Sequence, residues 1–354
     1  MASLAMNGMN ATTASLARRR LQAHDVTAAS QVVAKDHRSH RQPLPGVPSY
    51  LTSSVHFEWC MDYERFQVDS FVADLTNKRG HCVVLDVGMN DGFYTMLSAA
   101  LGCRVYAFEV QEMCVEIAHD FLKRNAFEDR VTIFNQPVSA QNNAVLAIPR
   151  LNACDGGFSF SGAFANAKSG TLVGHLGMQV RDKKEFHAIA LDTFVPPGTT
   201  VDILKIDTEG HERQVLKGAK RLYETRAIRK TWLEVKEPGG ERAWQSFKVL
   251  HDIMNSGYTA QFAGTASCPK GVFQASDWNA FHRHLQDPKR ACVDVLLSLA
   301  HAHEGVGTRR GGVEAPRRAD PYASAPSSNT TEQRSMASSE SSSGAKGKKK
   351  GWFR

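Results

Sequence analysis

The chain has 354 residues, 42% hydrophobic and 22% charged, enough for one domain of about 200–250 residues with a real core plus flanking segments. No run approaches the roughly 20 apolar residues of a membrane span, so no transmembrane helix is expected. The formal net charge of +7 belongs to the two ends: residues 305–354 carry ten Lys/Arg against four Asp/Glu and residues 1–50 six against two, leaving residues 51–304 at −3, a balance that argues against a basic nucleic-acid-binding core.

In chain order, residues 1–24 contain no acid, are rich in Ala, Ser and Thr and include Arg18-Arg19-Arg20. That composition reads as an organelle transit peptide (plastid or mitochondrion) or as plain disorder. Residues 25–50, with Pro43, Pro45 and Pro48, read as a linker. Cys82–Val87 is an apolar strand and Phe93–Leu101 a helix with Phe93, Met96, Leu97 and Ala100 on one face. Arg104–Glu109 predicts a second strand, Glu112–Asn125 a helix and Val131–Asn135 a third strand. From about Arg150 to Lys184 six glycines interrupt this rhythm, the mark of an irregular insertion that is either a lid or disordered. The alternation then resumes with a strand over Val201–Asp207, a helix over Glu212–Tyr223, a strand over Lys230–Val235 and a helix over Trp244–Asn255. Tyr258–Phe262 and Lys270–Gln274 form a candidate antiparallel hairpin at one edge, and the Ser/Lys-rich stretch 305–354 has too few apolar residues to fold. Repeated strand–helix units predict an α/β fold with a doubly wound, mostly parallel sheet covered on both faces.

The seven cysteines are scattered singly, with no CxxC pair. This pattern argues against a disulfide framework or a thiolate zinc site and for a reducing compartment, the cytoplasm, with an organelle as the alternative. Cys82 and Cys103 sit in apolar runs and read as small core residues. The histidines lack metal-ligand spacing, and no metal is expected.

Two strand ends carry the chemistry. Asp86-Val87-Gly88-Met89-Asn90-Asp91-Gly92 permits a tight turn with close approach of backbone to a ligand, and free helix N–H groups follow it. The turn lacks the GxGxxG of dinucleotide enzymes, and Asp86 and Asp91 would repel a pyrophosphate. A phosphate-free ligand carrying positive charge suits it better, which points to S-adenosylmethionine. Glu109, 17 residues after Gly92, closes the second strand where an acid can accept both hydroxyls of a ribose. Asp86, Gly88, Asn90, Gly92 and Glu109 are therefore the candidate cofactor-binding residues.

These residues, with Val105-Tyr106-Ala107-Phe108-Glu109, Leu191-Asp192 and the run KIDTEGHERQVLKGA at 205–219, resemble the FkbM family of S-adenosylmethionine-dependent methyltransferases over roughly residues 80–265. The resemblance implies a Rossmann-like class I methyltransferase fold, with residues 51–304 as the methyltransferase domain, and most often methylation of an oxygen. Met89 and Asp91 depart from the small and apolar residues usual in that turn, and the 150–184 segment matches no motif.

In a central strand Lys205 must find a partner or lose its charge, and alternation puts Asp207 on its face; the pair is either structural or catalytic. Asp207, Glu209 and His211 are the candidate catalytic residues. Glu209 or His211 can accept an acceptor's proton or can instead satisfy a helix N-terminus. Glu234, closing the fifth strand after Trp232, is a further acceptor-binding candidate. The expected acceptor is a small molecule or a glycan. The alternatives are a domain that binds S-adenosylmethionine or a partner without catalysis, and an RNA methyltransferase whose basic tails supply affinity, nucleic acid being reached only through those tails.

Overall fold

The computed structural model describes residues 44, 47–76, 78, 80–150, 154, 183–235, 241–263, 268–286 and 294–300. The expected targeting segment 1–24, the tail 305–354 and most of the 150–184 insertion lie outside the described residues.

Helices α1 (Ser54–Tyr63) and α2 (Arg65–Thr76) lead into β1 (Val83–Val87), α3 (Phe93–Ala100), β2 (Arg104–Phe108), α4 (Glu112–Asn125) and β3 (Val131–Phe134). Strands β4 (Val145–Pro149) and β5 (Lys183–His187) form a separate antiparallel pair. They are followed by the short α5 (Leu191–Phe194), β6 (Val201–Ile206), α6 (Glu212–Lys217), α7 (Lys220–Glu224), β7 (Ile228–Glu234) and α8 (Glu241–Asn255). The chain closes with β8 (Tyr258–Ala263), β9 (Val272–Phe273), α9 (Trp278–Leu285) and β10 (Asp294–Leu299).

The main sheet has the order β3-β2-β1-β6-β7-β10-β8-β9. Its first five strands run parallel, whereas β10 is antiparallel to both β7 and β8, and β9 is antiparallel to β8. The doubly wound sheet and its edge hairpin are as the sequence predicts. The chain winds from β1 through β2 to β3 and then crosses back to β6, so strand order reverses between β1 and β6, the position where open α/β sheets hold ligands.

Strands β1 and β6 are buried along nearly their whole length, which is why they read as continuous apolar runs rather than alternating ones. Their core continues through α3, buried at every position, and takes in Leu44, Val47 and Tyr50. The stretch read as a linker is therefore packed into the domain at those three residues. The predicted helix 212–223 is two helices, and between them Gly218 passes so close to the carbonyl of Ser139 that a Cβ there would stand 2.1 Å from it.

The reading of the cysteines as isolated thiols is overturned. Cys82 is bonded to Cys103 and Cys114 to Cys154, Cys268 is also disulfide-bonded, and Cys60 keeps a buried thiol that donates to Glu64 Oε2 at 3.6 Å. Cys82 and Cys103 immediately precede β1 and β2, whose parallel register sets Val83 beside Arg104; the sheet brings together two sulfurs that the sequence keeps 21 residues apart.

Candidate functional site

The ladder between β1 and β2 continues past the strand ends: the N–H groups of Gly88 and Met89 both donate to Phe108 O, at 2.9 and 3.1 Å. The turn then reverses through Asn90 (φ 55°) and Gly92 (φ 91°) into α3. A Cβ on Gly92 would meet Ala118 Cβ of α4 at 3.2 Å, so this glycine lets two helices approach. Asp86 is completely buried behind the turn, where Thr95 Oγ1 donates to its Oδ2 at 2.7 Å, and in register it faces Lys205 of β6.

Glu109 leaves the end of β2 with its carboxylate buried. Asn90 N donates to Oε2 at 2.9 Å, and Val110 N and Gln111 N donate to Oε1 at 2.8 and 2.9 Å. Burial raises its pKa to about 7 against the opposing pull of these three N–H groups. The same acid thus ties the β1 turn to the β2 end and forms part of a cleft wall.

After β6, Asp207 N donates to Val87 O at 3.0 Å, holding the β6 turn against β1. Glu212, the first residue of α6, folds this turn around its own side chain: Oε1 accepts from Thr208 N, Thr208 Oγ1 and Gly210 N at 2.9–3.1 Å. Burial raises the Glu212 pKa to about 7. The sequence reading missed this residue, whose turn-closing role shows only in the folded packing of the loop. Glu209 occupies the left-handed region at φ 55°, a conformation that costs a non-glycine residue energy and clusters at functional turns. His211 Nε2 lies 3.1 Å from Ser139 Oγ, and burial together with Arg213 lowers its pKa to about 4, leaving it uncharged at neutral pH.

Lys205 pairs with Asp207 Oδ2 at 3.2 Å and stands 5.1 Å above the centre of the Tyr94 ring. Burial works against its ammonium, but Asp207, Asp86 and Glu64 outweigh that cost and raise its pKa. Tyr94 in turn donates its hydroxyl to Glu64 Oε2 at 2.6 Å, linking the α1–α2 corner to the strand ends.

Two concavities result. The first cleft is walled by Gly88, Glu109, Gln136, Val138, Asp207 and His211, among others, at the ends of β1, β2, β3 and β6. It encloses about 60 Å³. The second, smaller concavity lies at the ends of β6 and β7 and is bordered by Glu64, Gln67, Lys205, Asp207, Trp232, Glu234 and Asp294. Asp207 borders both.

Of the residues read from the sequence, Gly88, Glu109, Asp207 and His211 border the first cleft, and Asp207 and Glu234 the second. Asp86, Asn90, Gly92 and Glu209 are not among the walls of either, although Asn90 reaches the first through its N–H on Glu109. Asp207, Glu209 and Glu234 gather carboxylate oxygens within 4.8 Å of one another, a grouping able to accommodate a cation that no sequence spacing announced. A buried acid already held by backbone N–H groups, facing a backbone-lined turn, fits a ribose and lacks the cationic groups that a phosphate would require.

Residues 86–261 match the family model described as the methyltransferase FkbM domain. No curated protein matches the chain. Among solved structures, similarity is found to the methyltransferase FkbM from Methylobacillus flagellatus (14% identity, TM-score 0.34, 61% of this chain and 43% of that one). It is also found to a putative methyltransferase from Streptococcus mutans in complex with SAH (10%, 0.35, 66% and 96%) and to the O-methyltransferase TomG from Streptomyces achromogenes in complex with SAM (12%, 0.34, 66% and 80%). The chain thus spans less than half the length of the Methylobacillus protein.

Proposed function

This chain belongs to the FkbM methyltransferase family through residues 86–261, and on that premise we propose that it methylates a hydroxyl of a small-molecule or glycan acceptor, with S-adenosylmethionine held in the first cleft. When bound, this cofactor supplies a methyl carbon carried on a positively charged sulfur. Everything else is positioning, proton acceptance and exclusion of water, which the chain's own side chains provide.

Glu109 accepts the ribose hydroxyls, and the Gly88 turn offers backbone at close range. Val110, Pro137 and Val138 give apolar surface for a purine. Asp207 carries the reading, because it is the carboxylate bordering both the cofactor cleft and the groove beyond it. Ion-paired with Lys205, Asp207 is the proposed acceptor of the proton that the hydroxyl loses. Glu209, within carboxylate reach of Asp207, is the second candidate, and His211, neutral and on the cofactor side, the third.

The test is transfer of labelled methyl to fractionated cell extract by the wild type, Asp207→Asn and Glu209→Gln. Loss of turnover by about a hundredfold or more in Asp207→Asn, with cofactor affinity kept within threefold, supports the assignment. Unchanged turnover in Asp207→Asn removes it.

A further inference from the structure

The bridge between Cys114 and Cys154 lies against the turn that frames the first cleft. Cys114 stands in the first turn of α4, just past the end of β2 that carries Glu109, and Cys154 follows β4. Both sulfurs pack on the side chain of Asn90, with Cys154 Sγ 2.9 Å and Cys114 Sγ 3.5 Å from its Oδ1. Asn90 is held at φ 55° in the turn after β1, and its N–H donates to Glu109 Oε2 at 2.9 Å. Contacts therefore run from the bridge through one asparagine to the acid that borders the cleft.

Access separates this bridge from its neighbour. Cys82 and Cys103 are 3% and 0% exposed, which closes both of their sulfurs to a dissolved thiol. Cys114 is equally buried, but Cys154 is only half-buried, so the second bridge offers one sulfur to solvent. The hairpin of β4 and β5 has another tie to α4, because Arg150 and Lys184 both pair with Glu112, at 3.0 and 2.7 Å.

We propose that the Cys114–Cys154 bridge is a redox switch on cofactor binding: closed, it holds the Asn90 turn on Glu109, and opened by a dithiol reductant it releases that turn and lowers cofactor affinity. The assignment rests on the methyltransferase reading and adds a regulation to the same cleft. A thiolate of the reductant attacks Cys154 Sγ, the S–S bond breaks, and its electron pair leaves on Cys114 Sγ, which takes up a proton. The second thiolate of the reductant then displaces Cys154 from the mixed disulfide, Cys154 takes up a proton, and the reductant departs as a cyclic disulfide. Two electrons and two protons have passed from the dithiol to the bridge. Once Cys154 is no longer tied to α4, Asn90 loses packing against its side chain, and a left-handed backbone at a residue other than glycine persists only where its surroundings fix it.

The test uses the full chain oxidised with glutathione disulfide, and the probe is S-adenosylhomocysteine, titrated by calorimetry before and after dithiothreitol. Differential alkylation and peptide mapping report which bridge has opened. The expected result is that Cys114 and Cys154 become alkylated while Cys82 and Cys103 stay paired, and that affinity falls by at least about fivefold. Cys154→Ala is expected to bind like the reduced wild type with or without dithiothreitol, and Cys82→Ala/Cys103→Ala to keep the full response. The pH at which affinity levels off should also move above about 7 on reduction, because Glu109 loses an N–H that holds its pKa down; a general loosening of the fold would not produce that displacement. Affinity unchanged or tighter on reduction, a response that survives in Cys154→Ala, or Cys114 and Cys154 found free after oxidation overturns the proposal. The wild-type comparison needs no variant to fold. If S-adenosylhomocysteine binds both states equally, only the switch falls, and if it binds neither, the methyltransferase reading falls with it.

Discussion

The carbonyl oxygen of Asp207 stands 1.9 Å from where a Cβ on Gly88 would sit, so the turns after β1 and β6 meet through backbone alone. Gly88 is also held at φ 79°, a conformation that costs a side-chain-bearing residue about 1–2 kcal/mol. Gly88→Ala is therefore expected to lose at least about 2 kcal/mol of stability and most cofactor binding. Thermal unfolding with and without cofactor checks this, and a wild-type Tm would mean that the two turns do not touch.

The raised acids give stability an unusual pH dependence. Glu109 and Glu212 both titrate near 7 in the folded chain rather than at the ordinary carboxylate value. The native state then binds more protons than the unfolded one between about 4.5 and 7, so their contribution is complete below that window and lost as pH rises through 7. His211 has the opposite sign, its pKa lowered to about 4: its contribution is present above about 6.5 and is lost as pH falls toward 4. Denaturant titrations of Glu109→Gln and His211→Asn against the wild type from pH 4 to 8 separate the two limbs.

Cofactor affinity follows from the same group. Ribose hydroxyls donate best to ionised Glu109, so affinity is expected to rise with pH up to about 7, by at most about tenfold per unit, and then level off. Glu109→Gln is expected to flatten that profile and to weaken binding at pH 8 by about tenfold or more. Calorimetry at five pH values decides the matter.

Much of this was legible in the sequence, and the parts that were not have physical reasons. Helix 112–125 was readable to the residue because its apolar positions recur at helical spacing between an acidic first turn and Lys123-Arg124 in the last. Strand β10 was missed because Asp294–Leu299 lies alone after a helix, and only its pairing with β7 and β8 makes it an interior strand. The disulfides were missed because adjacency of Cys82 and Cys103 is created by the sheet. At the site, Glu109 and Gly88 could be read from strand-end chemistry. The burial of Asp86 beneath Thr95 and the turn-closing role of Glu212 depend on three-dimensional packing.

Lys205 is the positive charge set among Asp86, Asp207 and Glu64. Lys205→Met removes it while leaving the carboxylates where they are, and breaking a buried pair in this way costs about 3 kcal/mol or more. The midpoint of urea unfolding should fall accordingly at pH 7, and part of the loss should be recovered at pH 5 as the orphaned acids take up protons. An unchanged midpoint would show that the ammonium does not neutralise them.

The Cys82–Cys103 bridge ties two neighbouring strands at their starts. Closing a loop of this size is worth about 3 kcal/mol, so the double variant Cys82→Ala/Cys103→Ala is expected to unfold at correspondingly lower denaturant. Peptide mapping without reductant checks the pairing itself. Finding both thiols free in protein purified from its native compartment would return the cysteines to the isolated role suggested by their spacing.

A crystal structure of the full chain with S-adenosylhomocysteine bound tests the central claim most directly. The ribose hydroxyls are expected on the Glu109 carboxylate, the adenine against Val110 and Val138, and the sulfur facing Asp207 at the mouth of the second groove. Density for the molecule elsewhere on the chain, or a ribose turned away from Glu109, would contradict it.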